Sequence, residues 1–317
     1  MAETLSSEAD FSRPLPAQNR TLSQFVRRWV FIISVPYLGA MAMVALWQRA
    51  LIYHPVKVAA LPVEKFPRLR DRARDLHFQT DKGLSLHGWH ILATPEKSEA
   101  LSAVREARPV LLYFPGNARH RGDRVDRLLA LANLGFDVLV FDYRGYGENE
   151  GEPTEARLRQ DAKAVWDYVT GPLGLAGSRV VLYGESLGGG VATRLAADCC
   201  LAGTPPGGLI LQSTFNSLTA AGAQHYPWLP VSWLLIDRFP SDIAVKDVTC
   251  PILQLHGRYD TIVPWELGVK LHEAMPKQSS SGTARRLVEL PHSNHNDVFE
   301  SDGPLLRKSV YEFLESR

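Results

Sequence analysis

Residues 179–188, Arg-Val-Val-Leu-Tyr-Gly-Glu-Ser-Leu-Gly, decide the fold of this chain. The apolar run at 180–183 predicts a buried strand, and the segment after Gly188 is competent to form a helix. Between them lies a G-x-S-x-G pattern centred on Ser186. A sharp strand-to-helix turn at such a pattern lifts the serine oxygen clear of the sheet, and the glycines leave room for the strained backbone. We therefore predict that Ser186 is a nucleophile; the alternative is a serine that only caps a helix.

Short β-branched and apolar runs alternate with longer segments of helical period on both sides of this stretch. That alternation is typical of the α/β class, a mostly parallel sheet flanked by helices, and the G-x-S-x-G turn makes it the α/β-hydrolase fold. The first two strands are expected to form an antiparallel hairpin around residues 81–83. The predicted strands cover residues 76–80, 84–92, 110–114, 137–142, 179–183, 209–212, 252–256 and 286–290. The predicted helices cover residues 121–134, 154–169, 187–201, 265–274 and 305–315.

A serine hydroxyl needs a base that takes its proton and an acid that fixes the tautomer of that base. In this fold the three follow in the order Ser, Asp, His. Asp260 lies in the loop after the predicted strand 252–256, at the edge where parallel sheets assemble their sites. The alternative for Asp260 is an ordinary turn or cap aspartate. After the last predicted strand, His292 and His295 share one polar loop, and their spacing leaves both open as the base.

Residues 29–47 form a run of 19 residues without a charge. As a helix this run would cover roughly 28 Å, close to a hydrocarbon core of about 30 Å. Arg27 and Arg28 precede it, and tryptophans stand at both of its ends. We predict a disordered tail at 1–28, a single-pass transmembrane anchor at 29–47 and a catalytic domain at 48–317.

Two alternatives compete with the anchor: a signal peptide cleaved after the small residues around 40–42, and the buried helix of a soluble protein. The apolar run continues through Trp47, and 28 preceding residues are long for a signal peptide, so we favour the anchor. The balance of positive charges on its two sides predicts that the N-terminus lies inside. The charges counted are Arg20, Arg27 and Arg28 before the run and Arg49 and Lys57 after it.

Composition excludes some classes of function. Lys plus Arg number 35 and Asp plus Glu 34, a formal charge of +1, so we expect no nucleic-acid partner. Cys199, Cys200 and Cys250 have neither the spacing of a zinc site nor the even count of a disulfide framework, so we expect small buried side chains. We expect no metal and no organic cofactor.

Further motifs surround the predicted triad. They are Leu-Ile-Tyr-His-Pro at 51–55, Tyr-Phe-Pro-Gly-Asn-Ala at 113–118, Asp-Tyr-Arg-Gly-Tyr-Gly at 142–147 and His-Asn-Asp at 295–297. With them the chain, from Gln48 onward, resembles the membrane-anchored α/β-hydrolase-domain family of serine hydrolases, which includes eukaryotic protein depalmitoylases and bacterial relatives. Members of that family place the catalytic histidine before Asn-Asp. The resemblance therefore favours His295 over His292.

By this resemblance, the backbone N–H groups of Asn117 and Leu187 form the oxyanion hole. Relatives carry His-Gly-Asn-Ala where this chain has Pro-Gly-Asn-Ala at 115–118, and we expect this difference to affect the loop and not the proton chemistry. The expected reaction is hydrolysis of an ester or thioester of a small-molecule or acylated substrate, through an acyl-enzyme on Ser186.

The segment between residues 212 and 252 is apolar but short. With Phe215, Trp228 and Trp233 it predicts a small lid or pocket wall, which suits an acyl or lipid substrate. The equal alternative is that these side chains are plain core. Two other functions stay open, a catalytically silent protein that binds a lipid or partner and a peptidase that uses the same triad.

Overall fold

The computed structural model describes residues 22–94 and 109–316. By its internal contacts the chain divides into two compact units, Met1–Leu46 and Trp47–Arg317. The second unit holds the sheet, its helices and the predicted catalytic residues.

Helix α1 runs from Leu22 to Ile52, and its last turns, from Trp47 on, belong to the second unit. An 18-residue window within it has a mean hydropathy of 2.0 and none of that window is buried. The helix is long and apolar enough to cross a membrane. A signal sequence near the N-terminus would meet the same criteria of length and composition. Pro36 lies inside it without ending it.

The predicted tail 1–28 needs a correction at its end. Residues 22–28 belong to α1, because the segment from Leu22 to Arg28 contains neither Gly nor Pro and nothing stops the helix from extending beyond the apolar run. Residues 1–21 of the predicted tail lie outside the described residues.

Eight strands form the main sheet of the second unit. In spatial order they are β10, β9, β8, β7, β4, β6, β3 and β2. β2 and β3 form the predicted antiparallel hairpin, β3 is also antiparallel to β6, and the other six strands run parallel. The strands are β2 (Ala73–Gln79), β3 (Ser85–Ile91), β4 (Val110–Phe114), β6 (Asp137–Phe141), β7 (Val180–Glu185), β8 (Gly208–Gln212), β9 (Ile252–Gly257) and β10 (Arg286–Leu290). The prediction of a mostly parallel sheet is confirmed.

The centre of the sheet is buried on both faces, which explains why its central strands are continuous apolar runs. In β4, Leu112 and Phe114 point into one core cluster, whereas Leu111 and Tyr113 point into the other. Helices α3, α4 and α8 add apolar side chains to the first cluster, and α2 and α10 add theirs to the second. These helices are α2 (Val125–Ala132), α3 (Glu155–Thr170), α4 (Leu187–Leu201), α8 (Trp265–Ala274) and α10 (Gly303–Ser316).

The predicted helices at 187–201 and 265–274 have the observed bounds, but the one at 121–134 does not. Its first turn, Arg121–Arg124, is a 3-10 turn. Arg121 bonds back to the buried Asp142, through its backbone N–H at 2.8 Å and through its guanidinium at 2.6 Å. These bonds hold the chain in the tighter turn before α2 begins.

Short elements lie beside the carboxyl edge of the sheet. β1 (His54–Pro55) and β5 (Ala118–Arg119) make a separate two-stranded parallel pair. The segment between β8 and β9 forms α5 (Leu218–His225), α6 (Val231–Leu234) and α7 (Ser241–Ala244), and α9 (Val298–Ser301) precedes α10. Phe215 belongs to the core, in line with the plain-core alternative, whereas Trp228 and Trp233 are exposed.

Candidate active site

Ser186 stands at the turn between the end of β7 and the start of α4. Its backbone has φ 53° and ψ −119°, a conformation that a side-chain-bearing residue adopts only under constraint. A Cβ on Gly188 would lie 2.1 Å from the Phe114 carbonyl oxygen, and one on Gly184 would lie 2.5 Å from the Gly189 Cα. Glycine at both positions is what lets helix and strand approach closely enough to make this turn.

The structure brings the three predicted side chains together. The Ser186 Oγ lies 3.0 Å from the Nε2 of His295, and the Nδ1 of His295 lies 2.7 Å from the Oδ2 of Asp260. All three residues are buried. With the imidazole proton on Nδ1, Nδ1–H donates to Asp260 and Nε2 accepts from the serine hydroxyl, the arrangement of a nucleophile, a base and an orienting acid.

Asp260 is held in place through its other oxygen. Its Oδ1 accepts the backbone N–H groups of Ile262 at 3.0 Å and Val263 at 2.7 Å, so the carboxylate closes the turn after β9 and still presents Oδ2 to His295. The Asn294 Oδ1 accepts the N–H of His295 at 2.6 Å and that of Thr261 at 3.2 Å. Asn294 therefore joins the loop of the acid to the loop of the base.

The two histidines left open by the sequence differ in structure. His292 is mostly exposed, and its Nδ1 lies 3.0 Å from the Oδ1 of Asp302. Its backbone N–H donates to Asp302 as well, at 2.8 Å. The hydrogen bond to Ser186 is made by His295.

The predicted oxyanion residues flank Ser186. Leu187 is the first residue of α4, and the N–H group of a first helical residue has no carbonyl partner within its own helix. The loop before Asn117 is close as well, because a Cβ on Gly116 would lie 3.5 Å from that of Ser186. The N-terminus of α4 adds a positive field at this point.

The loop with Pro115 in place of the relatives' histidine is held by hydrogen bonds. The Tyr143 hydroxyl donates to the Pro115 carbonyl at 3.0 Å, and the Tyr146 hydroxyl donates to the Asn117 carbonyl at 2.7 Å. The Asn117 side chain donates to the Ile52 carbonyl at 2.6 Å. Burial raises the pKa of both tyrosines above the ordinary value, so both hydroxyls stay protonated donors. The motif at 142–147 thus supports the predicted oxyanion loop.

Glu185, between Gly184 and Ser186, is a buried acid whose role the sequence analysis missed. It receives hydrogen bonds from Tyr113 and Arg127, and the Arg124 Nε lies 3.6 Å away. Burial alone would raise the pKa of the Glu185 carboxyl, but the two arginines outweigh it and the pKa lies below its usual range. The other arm of Arg127 donates to the Asn296 carbonyl at 2.5 Å, next to His295. One side chain thus joins the nucleophile turn to the histidine loop.

Thr214, two residues after the end of β8, was also missed. Its hydroxyl donates to the Ser186 carbonyl at 2.7 Å, and the Ser186 N–H donates to the Gln212 carbonyl at 2.9 Å. These bonds hold the strained turn from the neighbouring strand. The only signal in the sequence is a polar Gln-Ser-Thr at 212–214 after an apolar run, which does not by itself identify a partner.

Comparisons with known proteins identify relatives of this chain. The family Hydrolase_4, described as serine aminopeptidase S33, matches residues 105–241. An uncharacterised protein of Mycobacterium tuberculosis is 36% identical over 285 residues, which cover 90% of this chain and 93% of the relative. The lysophosphatidylserine lipase ABHD12 of Danio rerio is 32% identical over 274 residues, with 78% of this chain and 70% of the lipase covered.

Solved structures share the fold. An esterase of Pyrococcus furiosus superposes with a TM-score of 0.60 at 20% identity, with 83% of this chain and 97% of the esterase covered. Est1E of Butyrivibrio proteoclasticus, solved with ferulic acid bound, gives 0.58 at 19% identity, with 76% and 98% covered. The predicted α/β-hydrolase fold is confirmed. Because its relatives include lipases, the chain is a hydrolase.

The chain therefore belongs to the α/β-hydrolase family. Within it, the chain is homologous to the ABHD12 lysophosphatidylserine lipases.

Proposed function

We propose that the protein is a membrane-anchored serine hydrolase that cleaves an acyl ester or thioester, with Ser186 as nucleophile, His295 as base and Asp260 as orienting acid. The observation that carries this proposal is the chain of hydrogen bonds from the Ser186 Oγ through His295 to Asp260. Buried polar groups arranged as nucleophile, base and acid at a strained turn have no simple structural purpose.

The chemistry follows from the positions of the atoms. The His295 Nε2 takes the hydroxyl proton as the Ser186 Oγ attacks the carbonyl carbon of the substrate. The N–H groups of Asn117 and Leu187 donate to the oxyanion of the tetrahedral intermediate. Asp260 stabilises the imidazolium, which then gives its proton to the leaving alcohol or thiol. A water molecule, deprotonated by the same imidazole, releases the acid from Ser186.

The substrate class is proposed from two directions. The relatives named ABHD12 are lysophosphatidylserine lipases, which favours a single-chain acyl lipid for this chain too. Helix α1, uncharged over 29–47, would hold the enzyme at the membrane in which such lipids reside. A thioester of a membrane protein, as in the depalmitoylases that the sequence resembles, has the same acyl group and a different leaving group.

A substrate panel tests this function. Full-length protein and Ser186→Ala would be compared on p-nitrophenyl esters from acetate to palmitate, a lysophosphatidylserine and a palmitoyl thioester. Turnover of the acyl lipid that disappears in Ser186→Ala supports the proposal, and the optimum chain length sizes the acyl site. Full-length protein that binds these compounds but turns none of them over would support the catalytically silent alternative.

A second candidate function rests on the family match at 105–241, whose description is a serine aminopeptidase. The triad does not fix the leaving group, so an amine could leave as an alcohol does. Aminoacyl p-nitroanilides added to the same panel separate the two functions. Serine-dependent release of p-nitroaniline, with no turnover of any ester, would replace the lipase proposal by the peptidase.

A further inference from the structure

Four large side chains between α5 and β9 are turned to the outside of the second unit. They form what we call the aromatic rim: Tyr226, Trp228, Trp233 and Ile236. Their exposed fractions are 51%, 55%, 85% and 63%. Soluble monomers rarely leave several large apolar side chains exposed on one short segment, and such patches mark contact surfaces.

The rim is fastened to the end of the apolar helix. Gln48, the first residue after the predicted span 29–47, is buried, and its side-chain amide makes two hydrogen bonds to the backbone of the rim segment. Its Nε2 donates to the Leu234 carbonyl at 3.2 Å, and its Oε1 accepts the N–H of Ile236 at 2.7 Å. The Leu234 and Ile236 backbones therefore lie within hydrogen-bonding distance of the residue at which the predicted membrane span ends.

Two further bonds make this attachment rigid. The buried carboxylate of Asp237 accepts from the Arg49 Nε at 3.3 Å and from the Tyr53 hydroxyl at 3.0 Å. Burial, followed by the charge of Asp237, raises the pKa of the Tyr53 hydroxyl far above its usual range, so it remains a donor. The segment 234–237 therefore cannot move away from residues 48–53 without breaking these hydrogen bonds.

The last turns of α1 also carry exposed apolar side chains. Trp47 and Leu51, both in the second unit, are each 59% exposed. If residues 29–47 cross a bilayer, Trp47 lies at its boundary, and a group bonded to Gln48 lies within a few ångströms of the same plane. Trp and Tyr are the side chains that favour this zone, because one end of the ring system is apolar and the other can hydrogen-bond to water or headgroups.

We propose that the aromatic rim docks into the interface of the same bilayer that α1 crosses, so that the second unit rests on the membrane through Trp233 and its neighbours. This inference rests on the proposed membrane span. An interfacial surface of this kind buries its apolar side chains roughly 5 to 10 Å into the boundary between headgroups and acyl chains. The binding partner of the aromatic rim is therefore lipid.

The rim is also connected to the catalytic loops. The ring of His225, at the end of α5, lies with its Nε2 2.8 Å from the carbonyl oxygen of Ile262, two residues after Asp260. An acyl lipid that leaves the bilayer beside the rim would thus be next to the loop that carries the acid. Docking would matter for substrates that start in the membrane, and not for those that arrive from water.

Fluorescence quenching by lipid tests the docking directly. Full-length protein would be placed in nanodiscs of phosphatidylcholine, with or without bromine near the carbonyl end of the acyl chains. The contribution of Trp233 to the emission is obtained by subtracting the spectrum of Trp233→Phe from that of wild type. This contribution should be strongly quenched by the brominated lipid. The contribution of Trp166, obtained in the same way from the control Trp166→Phe, should not be quenched, because Trp166 is buried in the core.

An unquenched Trp233 component, with the protein incorporated in the nanodiscs, would overturn the docking while leaving the anchor intact. Activity gives an independent check that does not depend on fluorescence. In Trp233→Ser/Ile236→Ser, kcat/KM on an ester embedded in the bilayer should fall several-fold, while kcat/KM on p-nitrophenyl acetate stays unchanged. An equal loss on both substrates would contradict docking, whereas no turnover of either by wild type would count against the proposed function alone.

Discussion

Replacing Arg127 by Met should damage both stability and catalysis, for separable reasons. Arg127 bonds the Glu185 carboxylate with one arm and the Asn296 carbonyl with the other. Its side chain is 21% exposed and that of Glu185 is 8% exposed, so this ion pair is largely out of water. Breaking a buried pair costs about 3 to 5 kcal/mol because a buried charge is left behind. Since Arg124 still faces Glu185, we expect a loss of about 2 to 3 kcal/mol.

The loss should depend on pH with a definite sign. The pKa of Glu185 is lowered in the folded protein, so its ionised form contributes stability above the unfolded value of about 4.3, and this is lost as pH falls through the lower folded pKa. Without Arg127 the pKa of Glu185 is lowered less, because Arg127 no longer opposes the effect of burial, which raises that pKa. The gap in unfolding free energy between wild type and Arg127→Met should therefore be widest near neutral pH and narrow below about pH 4.

Catalysis should suffer through Asn296, whose neighbour His295 must stay aligned with Ser186. A misplacement of about 1 Å can cost on the order of a hundredfold in rate, so kcat should fall between tenfold and a hundredfold. The assays are urea unfolding from pH 3 to 8 and serine-dependent hydrolysis of a p-nitrophenyl ester, both in detergent micelles. The control is Arg127→Met/Glu185→Gln, which removes the stranded charge and should recover stability but not kcat. A stability gap independent of pH, or full kcat in Arg127→Met, would refute the reasoning.

Three other variants test the site. His295→Ala should lower kcat by about four to six orders of magnitude, whereas His292→Ala should change it less than tenfold; the reverse order in initial-rate assays would exchange their roles. Gly188→Ala should cost about 3 kcal/mol or more, because its Cβ would meet the Phe114 carbonyl at 2.1 Å, and an unchanged melting temperature would contradict that contact. Asn117→Ala keeps the backbone N–H and should lower kcat/KM by about tenfold at most; a loss of 10² to 10³, the size expected for a missing oxyanion donor, would show that the side chain donates instead.

The fold was predictable because its central strands are buried on both faces. The run Val110–Phe114 has no polar residue to blur its ends, and its predicted bounds match the structure. The hairpin of β2 and β3 followed from its turn residues. Less predictable was Arg121–Arg124, where a contact with Asp142, distant in sequence, decides the type of turn. Local periodicity carries no information about such a partner.

The residues of the candidate site also divide into those that the sequence predicts and those that only the tertiary structure reveals. Ser186, Asp260 and His295 stand at strand ends in a fixed order, so topology alone brings them near one another. The choice of His295 over His292 needed the family resemblance, because both lie in the same loop and only the tertiary structure shows that His292 pairs with Asp302. Glu185 and Arg127 were missed, since a charged residue inside G-x-S-x-G gives no hint of the arginine that will meet it.

The pairing of β1 with β5 has a consequence for how much of the proposed anchor a protease could remove without disturbing the candidate site. Asn117 is held by the carbonyl of Ile52 and by the N–H of His54, which donates to the Asn117 carbonyl at 2.9 Å. A protease that cuts around residues 40–42 leaves these bonds in the freed enzyme, which should stay active in solution. A cut just after His54 removes them and loosens the loop beside Ser186. The cut that should leave the protein active and the cut that should inactivate it thus lie only about a dozen residues apart in the sequence.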